Sequence, residues 1–200
     1  MSATKTRTKA EQGEATRAKL IGVARELFAT KGYADTSIED ITHRASVTRG
    51  ALYHHFADKR ELFMAVFEDV ECDFGAKVGE AIAGVAPERL LKVGLNAFLD
   101  VCLDRDVQRI VMLDAPSVLG WEVWREVDAQ FGIALTRSAL EIAMEAGHVE
   151  RHDPEPLAHL VLGALNEAGL AIARAEDVNA ARRRFGKALE WWVDGLRPRP

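Results

Sequence analysis

Residues 36–56 read TSIEDITHRASVTRGALYHHF, two short helical patterns separated by a break of a few residues. The first pattern turns Ile38, Ile41 and Ala45 to one side. Thr36 with Glu39 three residues later has the spacing of a capping box, in which two side chains satisfy amides at a helix start. Thr48 can cap the second pattern, which runs to about His55. At roughly 100° per residue, Ala51, Leu52 and His55 turn towards a core, and Phe56 closes the end. Gly50, Tyr53 and His54 turn the other way, with Arg49 at their flank. Glycine inside a helix costs about 1 kcal/mol relative to alanine. What offsets the cost is that a helix without a Cβ can lie close against a neighbouring surface.

The flanking sequence supplies a scaffold for this pair. Upstream, Leu20, Ala24, Leu27 and Phe28 form the stripe of a longer helix, and Gly32 in KGY stands where a C-cap is expected. Downstream, Asp58 and Glu61 repeat the capping-box spacing before a long stripe of Leu62, Phe63, Val66, Phe67 and Val70. Two short helices joined by a tight turn and packed on a longer first helix make a helix-turn-helix. Its outward face has chemistry suited to DNA. The major groove admits a helix, and an arginine there can bind guanine through two parallel hydrogen bonds. Thr36, Thr48, Tyr53 and His54 are groups that bond phosphate oxygens, and Arg49 suits a base or a phosphate equally. Lys59, beside the amides that open the helix after Asp58, adds a positive pole for another phosphate.

Residues 25–63, RELFATKGYADTSIEDITHRASVTRGALYHHFADKRELF, resemble the amino-terminal domain of the TetR family of bacterial transcriptional regulators. The elements LF…KGY, TSIEDI, TRGALYHHF and DKRELF stand in that family's order and spacing, over roughly the first third of the chain. The resemblance implies a homodimeric repressor whose carboxy-terminal domain binds a small ligand and thereby releases the operator. It also implies that Thr36, Thr48, Arg49, Gly50, Tyr53, His54 and Lys59 occupy DNA-contact positions. Two residues depart from the family pattern. Ser46 stands in the turn where glycine is usual, so a left-handed backbone there would be strained. Thr42 replaces the usual alanine of the first short helix.

The rest of the chain is helical in pattern, so an all-α fold is expected: a helix-turn-helix head joined to a larger helical body. Residues 1–13 read as a disordered segment, 14–60 as the DNA-binding domain, and 61–200 as a ligand-binding and dimerisation domain. Charge follows the same division. Residues 1–60 hold eleven Lys and Arg against seven Asp and Glu, whereas the remaining 140 hold fifteen against twenty-four. A basic head on an acidic body fits an anionic partner at one end. Two cysteines, Cys72 and Cys102, are too few for a disulfide framework or a zinc site. The polar amino terminus is unlike a secretory signal, and no apolar run reaches the roughly 20 residues of a membrane span. A cytoplasmic protein with no metal and no cofactor is expected. No nucleophile–base pair or phosphate loop argues for an enzyme. HVERH, residues 148–152, lacks a third ligand for its two histidines.

Two functions are expected of the body. Ligand pockets are mostly apolar with a few placed polar groups. Phe98, Cys102, Met112, Trp121, Trp124 and Asn166 are the candidate lining, suited to an apolar or aromatic effector. The last two helical patterns carry wide apolar faces and small residues. Leu160, Gly163 and Ala164 on one, with Phe185, Leu189 and Trp192 on the other, are the candidate contacts of a four-helix interface between two copies. The rival reading is a helical carrier or adaptor of apolar ligands that does not bind DNA.

Overall fold

The computed structural model describes residues 9–198, and every regular element among them is helical. The head consists of α1 (Lys9–Lys31), α2 (Ile38–Ala45) and α3 (Arg49–His55). The body consists of α4 (Lys59–Ile82), α5 (Pro87–Val101), a π-helical segment (Val107–Asp114) running into the short α6 (Ala115–Val118), then α7 (Trp121–Glu145), α8 (Pro154–Ala173) and α9 (Val178–Asp194). The expected disorder of residues 1–13 is corrected for Lys9–Gly13, which already belong to α1; residues 1–8 lie outside the described residues.

Local chemistry sets the boundaries. Gly32 takes φ 84° and ends α1, its amide donating to the Phe28 carbonyl at 2.8 Å. The capping box of α2 lies one residue beyond the expected pair. Ser37 Oγ accepts from the Asp40 amide at 3.0 Å, and Asp40 accepts from the Ser37 amide at 3.3 Å. Thr36 is drawn inward instead, its hydroxyl donating to the Gly32 carbonyl at 2.7 Å. Ser46 does adopt the left-handed conformation, at φ 51° and ψ 47°. Thr48 and Asp58 cap α3 and α4, accepting from the amides of Ala51 at 3.1 Å and Glu61 at 2.7 Å.

Leu20, Phe28, Ile41, Leu52, Phe56 and Phe63 bury the head's apolar faces in a core continuous with that of the body. Phe28, Tyr33 and Phe63 form an aromatic triangle at the joint, with ring centroids 5.0–5.8 Å apart. Polar ties cross the same joint. Arg25 of α1 reaches Asp69 at 2.8 Å and Asp73 at 2.5 Å on α4, and holds Asp106 through its Nε at 2.9 Å. The Tyr33 amide donates to Asp114 at the end of the π-helical segment. Arg60 donates to the carbonyls of Val118 and Leu119.

One sequence expectation about length needs correction. α8 is long and apolar enough to cross a membrane by composition, but half of that stretch is buried among the other helices, as in the central helix of a globular core.

Candidate nucleic-acid interface and ligand cavity

On α3, Leu52 is fully buried while Arg49, Gly50, Tyr53 and His54 face outward. A Cβ added at Gly50 would meet nothing closer than the Thr48 hydroxyl, at 4.0 Å. Nothing among the described residues therefore requires glycine there, and the space its absent side chain leaves opens outward. Arg49 is poised at the edge of this ridge: its guanidinium donates to Glu39 at 2.6 Å and to the Tyr53 hydroxyl at 3.3 Å. Thr48 uses its oxygen as a helix cap, leaving its hydroxyl hydrogen free to donate outward. Nearby cations are also lightly held, with Arg44 paired to Glu26 and Lys31 paired to Asp40 at 3.1 Å. Exposed pairs of this kind are each worth about 0–1 kcal/mol, so a phosphate can displace the carboxylate at little cost.

Two expected phosphate ligands do not belong to this ridge. Thr36 is 1% exposed and committed to the end of α1. Lys59 Nζ donates to the carbonyls of Tyr33 at 2.9 Å and Thr36 at 3.0 Å, and lies over the Tyr33 ring at 4.1 Å. Both residues brace the turn between α1 and α2. Thr48, Arg49, Gly50, Tyr53 and His54 remain together on one exposed face.

The body holds a partly open apolar cavity between α4, α5, α7, α8 and α9, with Val111 and Met112 of the π-helical segment in its wall. Phe98, Met112 and Asn166 line it as expected. Cys102, Trp121 and Trp124 do not. Cys102 is buried against Gly169, and Trp124 is buried with its indole donating to the Val111 carbonyl at 2.9 Å. Trp121 is exposed and packs on Trp124, ring centroids 4.8 Å apart. Leu189 and Trp192, expected at a dimer face, also line the cavity. α9 thus turns Trp192 inward and Trp191, 79% exposed, outward. On α8, Leu160 is 65% exposed, with Gly163 and Ala164 half-buried, and Phe185 of α9 is half-buried.

The polar end of the cavity holds residues the sequence reading did not single out. Glu71 of α4 and Asp128 of α7 are buried there beside Asn166 of α8. Asn166 Nδ2 donates to Asp128 at 2.7 Å, and Arg125 approaches the same carboxylate oxygen at 3.1 Å. Burial raises the Glu71 carboxyl to about 8, with help from the Asp128 charge. Burial likewise raises Asp128 to about 6, opposed by Asn166 and Arg125. Glu71 Oε1 and Asn166 Oδ1 are buried with no hydrogen-bond partner among the described residues. A sequence signal for both acids exists. Glu71 lies in register with Phe74, Val78 and Ile82, and Asp128 with Trp124, Phe131 and Leu135, each a carboxylate set in an apolar helical stripe.

Comparison with known proteins covers both halves of the chain. A family model described as bacterial regulatory proteins, tetR family, matches residues 20–66. A second, described as the C-terminal domain of tetracyclin repressor-like proteins, matches residues 89–196. The HTH-type transcriptional regulator CymR of Pseudomonas putida is 30% identical over 201 residues, 92% of this chain and 97% of its own. The Transposon Tn10 TetC protein of Escherichia coli is 24% identical over 76% of this chain and 78% of its own. A crystal structure of a TetR-family transcriptional regulator from Pectobacterium atrosepticum is 37% identical. It superposes with a TM-score of 0.85, covering 97% of this chain and 100% of that one.

Proposed function

Because the chain belongs to the TetR family of transcriptional regulators, we propose that it is a homodimeric repressor released from its operator by a small, largely apolar effector. The observation that carries the DNA-binding half is the bare ridge at Gly50, flanked by Arg49, Tyr53 and His54 and facing outward. Two such ridges related by two-fold symmetry would meet a pseudo-palindrome, with half-sites about one helical turn (roughly 34–36 Å) or a multiple apart. The outer faces of α8 and α9, with Leu160, Gly163, Ala164 and Trp191, supply the apolar surface for pairing two copies. A protein that acts on DNA in this way works in the cytoplasm.

The effector reading rests on the cavity and on its connection to the head. Val111 and Met112 touch the cavity, and three residues after Val111 the same segment presents Asp114 to the Tyr33 amide. α4 supplies a second connection, lining the cavity with Glu71, Phe74 and Val78 and leading back to the head at Lys59. π-helical turns are often found at functional sites. A ligand that fits the cavity better in one setting of these two elements favours one spacing of the two heads, and only such differential affinity can shift the equilibrium.

Selection of bound duplexes from a random DNA pool tests the reading. Enrichment of a two-fold symmetric sequence, with affinity falling steeply as salt rises through counterion release, is the expected result. A pool that stays unenriched would contradict it.

A further inference from the structure

We propose that the effector carries a protonated amine on an apolar body, its ammonium group seated between Glu71 and Asn166. The inference rests on the reading of the cavity as an effector site and adds the chemistry of the ligand's head.

Two buried polar atoms at the polar end of the cavity lack partners among the described residues. The Asp128 carboxylate receives both the Asn166 amide N–H and Arg125, which fixes the orientation of the amide: its nitrogen faces Asp128, and its oxygen is left over. Glu71 Oε1 is the other buried atom of this cavity without a partner among the described residues. Buried polar atoms in a folded protein are nearly always bonded, so two unmatched acceptors at one end of an apolar cavity point to a ligand. With Glu71 ionised both are acceptors, so the complementary head is a donor that favours that ionised form. An ammonium group offers three donors and no acceptor. A hydroxyl offers one donor, along with an oxygen that must find a donor of its own.

Charge points the same way. The cavity wall contains two carboxyl groups, and of these Asp128 is paired with Arg125. Glu71 pairs with no cation among the described residues, and burial together with the Asp128 charge favours its protonated form. The titratable groups that act on it are Asp128 of α7 and the Cys102 thiol after α5, which burial keeps protonated, while Asn166 of α8 and Arg125 of α7 meet Asp128. A ligand cation would supply the missing positive charge and displace the Glu71 proton to solvent.

The test uses the full-length protein without DNA and two probes with the same apolar body, 4-phenylbutylamine and 4-phenylbutanol. Calorimetric titration should show the amine binding at least about tenfold more tightly. Its affinity should rise between about pH 6.5 and 8.5, because binding requires an ionised Glu71. Glu71→Gln keeps the side chain's shape and an accepting oxygen. It should remove most of the amine's advantage over the alcohol and flatten the amine's pH dependence. Equal or tighter binding of the alcohol, or an undiminished amine preference in Glu71→Gln, would overturn the cationic head while leaving the cavity as an effector site. Binding of neither probe would overturn the inference itself. Operator selection is measured separately, so failure of the DNA-binding reading would be distinguishable from each of these.

Discussion

The backbone amide of Tyr33, just past the end of α1, donates to Asp114 Oδ2 at 2.8 Å, across 81 positions of sequence. Arg109 holds the same carboxylate at 3.2 Å, and its guanidinium occupies the space a side chain at Gly32 would need. Head and body are thus joined at a specific atom, on the segment that also lines the cavity. Asp114→Ala should cost about 1–2 kcal/mol, since it leaves a half-buried amide without its acceptor. Hydrogen exchange read at the Tyr33 amide should accelerate markedly. Unchanged protection there would show that the joint is held by packing alone.

Arg49 is shared between Glu39, at 2.6 Å, and Tyr53 on the exposed ridge. Glu39→Gln removes a competitor for that guanidinium without touching the fold's core. Duplex affinity should rise several-fold, on operator and unrelated DNA alike, because an exposed pair of this kind competes only weakly with a phosphate and its loss costs the fold little. Fluorescence anisotropy against both duplexes reads it. A fall in operator affinity would mean that Glu39 orients Arg49 and does not compete for it.

Ser46 is the described non-glycine residue with a positive φ, and it is exposed. Ser46→Gly relieves that strain and should raise stability by about 0.5–1 kcal/mol, less whatever entropy the glycine adds to the unfolded chain. Chemical denaturation measures it. A loss of stability would show that the serine contributes more to the turn than its backbone strain costs.

Glu71 makes stability depend on pH in the direction opposite to a salt-bridged carboxylate. Its folded value, about 8, lies above the ordinary 4.5, so the folded state holds a proton that the unfolded chain has released. Its contribution is therefore intact below about pH 4.5 and declines as pH rises towards 8. Glu71→Gln should flatten this decline and make the protein about 1–3 kcal/mol more stable near neutral pH. Thermal melts of both proteins across that window decide the matter. Parallel curves would place Glu71 in contact with water.

The head was legible in the sequence because its determinants are local. Capping residues, a left-handed turn and stripes such as Ile38, Ile41 and Ala45 act over four residues or fewer. Even there, the choice between Thr36 and Ser37 as cap depended on a bond to Gly32 that spacing does not reveal. The cavity was legible only in part. Trp121 and Trp124 do share a helical face, but which indole is buried goes with its bond to the Val111 carbonyl thirteen residues earlier, which helical spacing does not reveal. The rotation of α9 that sends Trp192 inward and Trp191 outward is set by packing against α5 and α8, beyond the reach of periodicity.

The central claim is that Gly50 lacks a side chain so that α3 can lie against DNA, and Gly50→Leu tests it most directly. Measured side by side with the parent protein, the variant should melt at the same temperature or higher, because leucine favours a helix and meets open space. Its affinity for the selected operator should fall by about a hundredfold or more, equivalent to roughly 2.7 kcal/mol. A variant that melts normally and binds that operator as tightly as the parent would contradict the account.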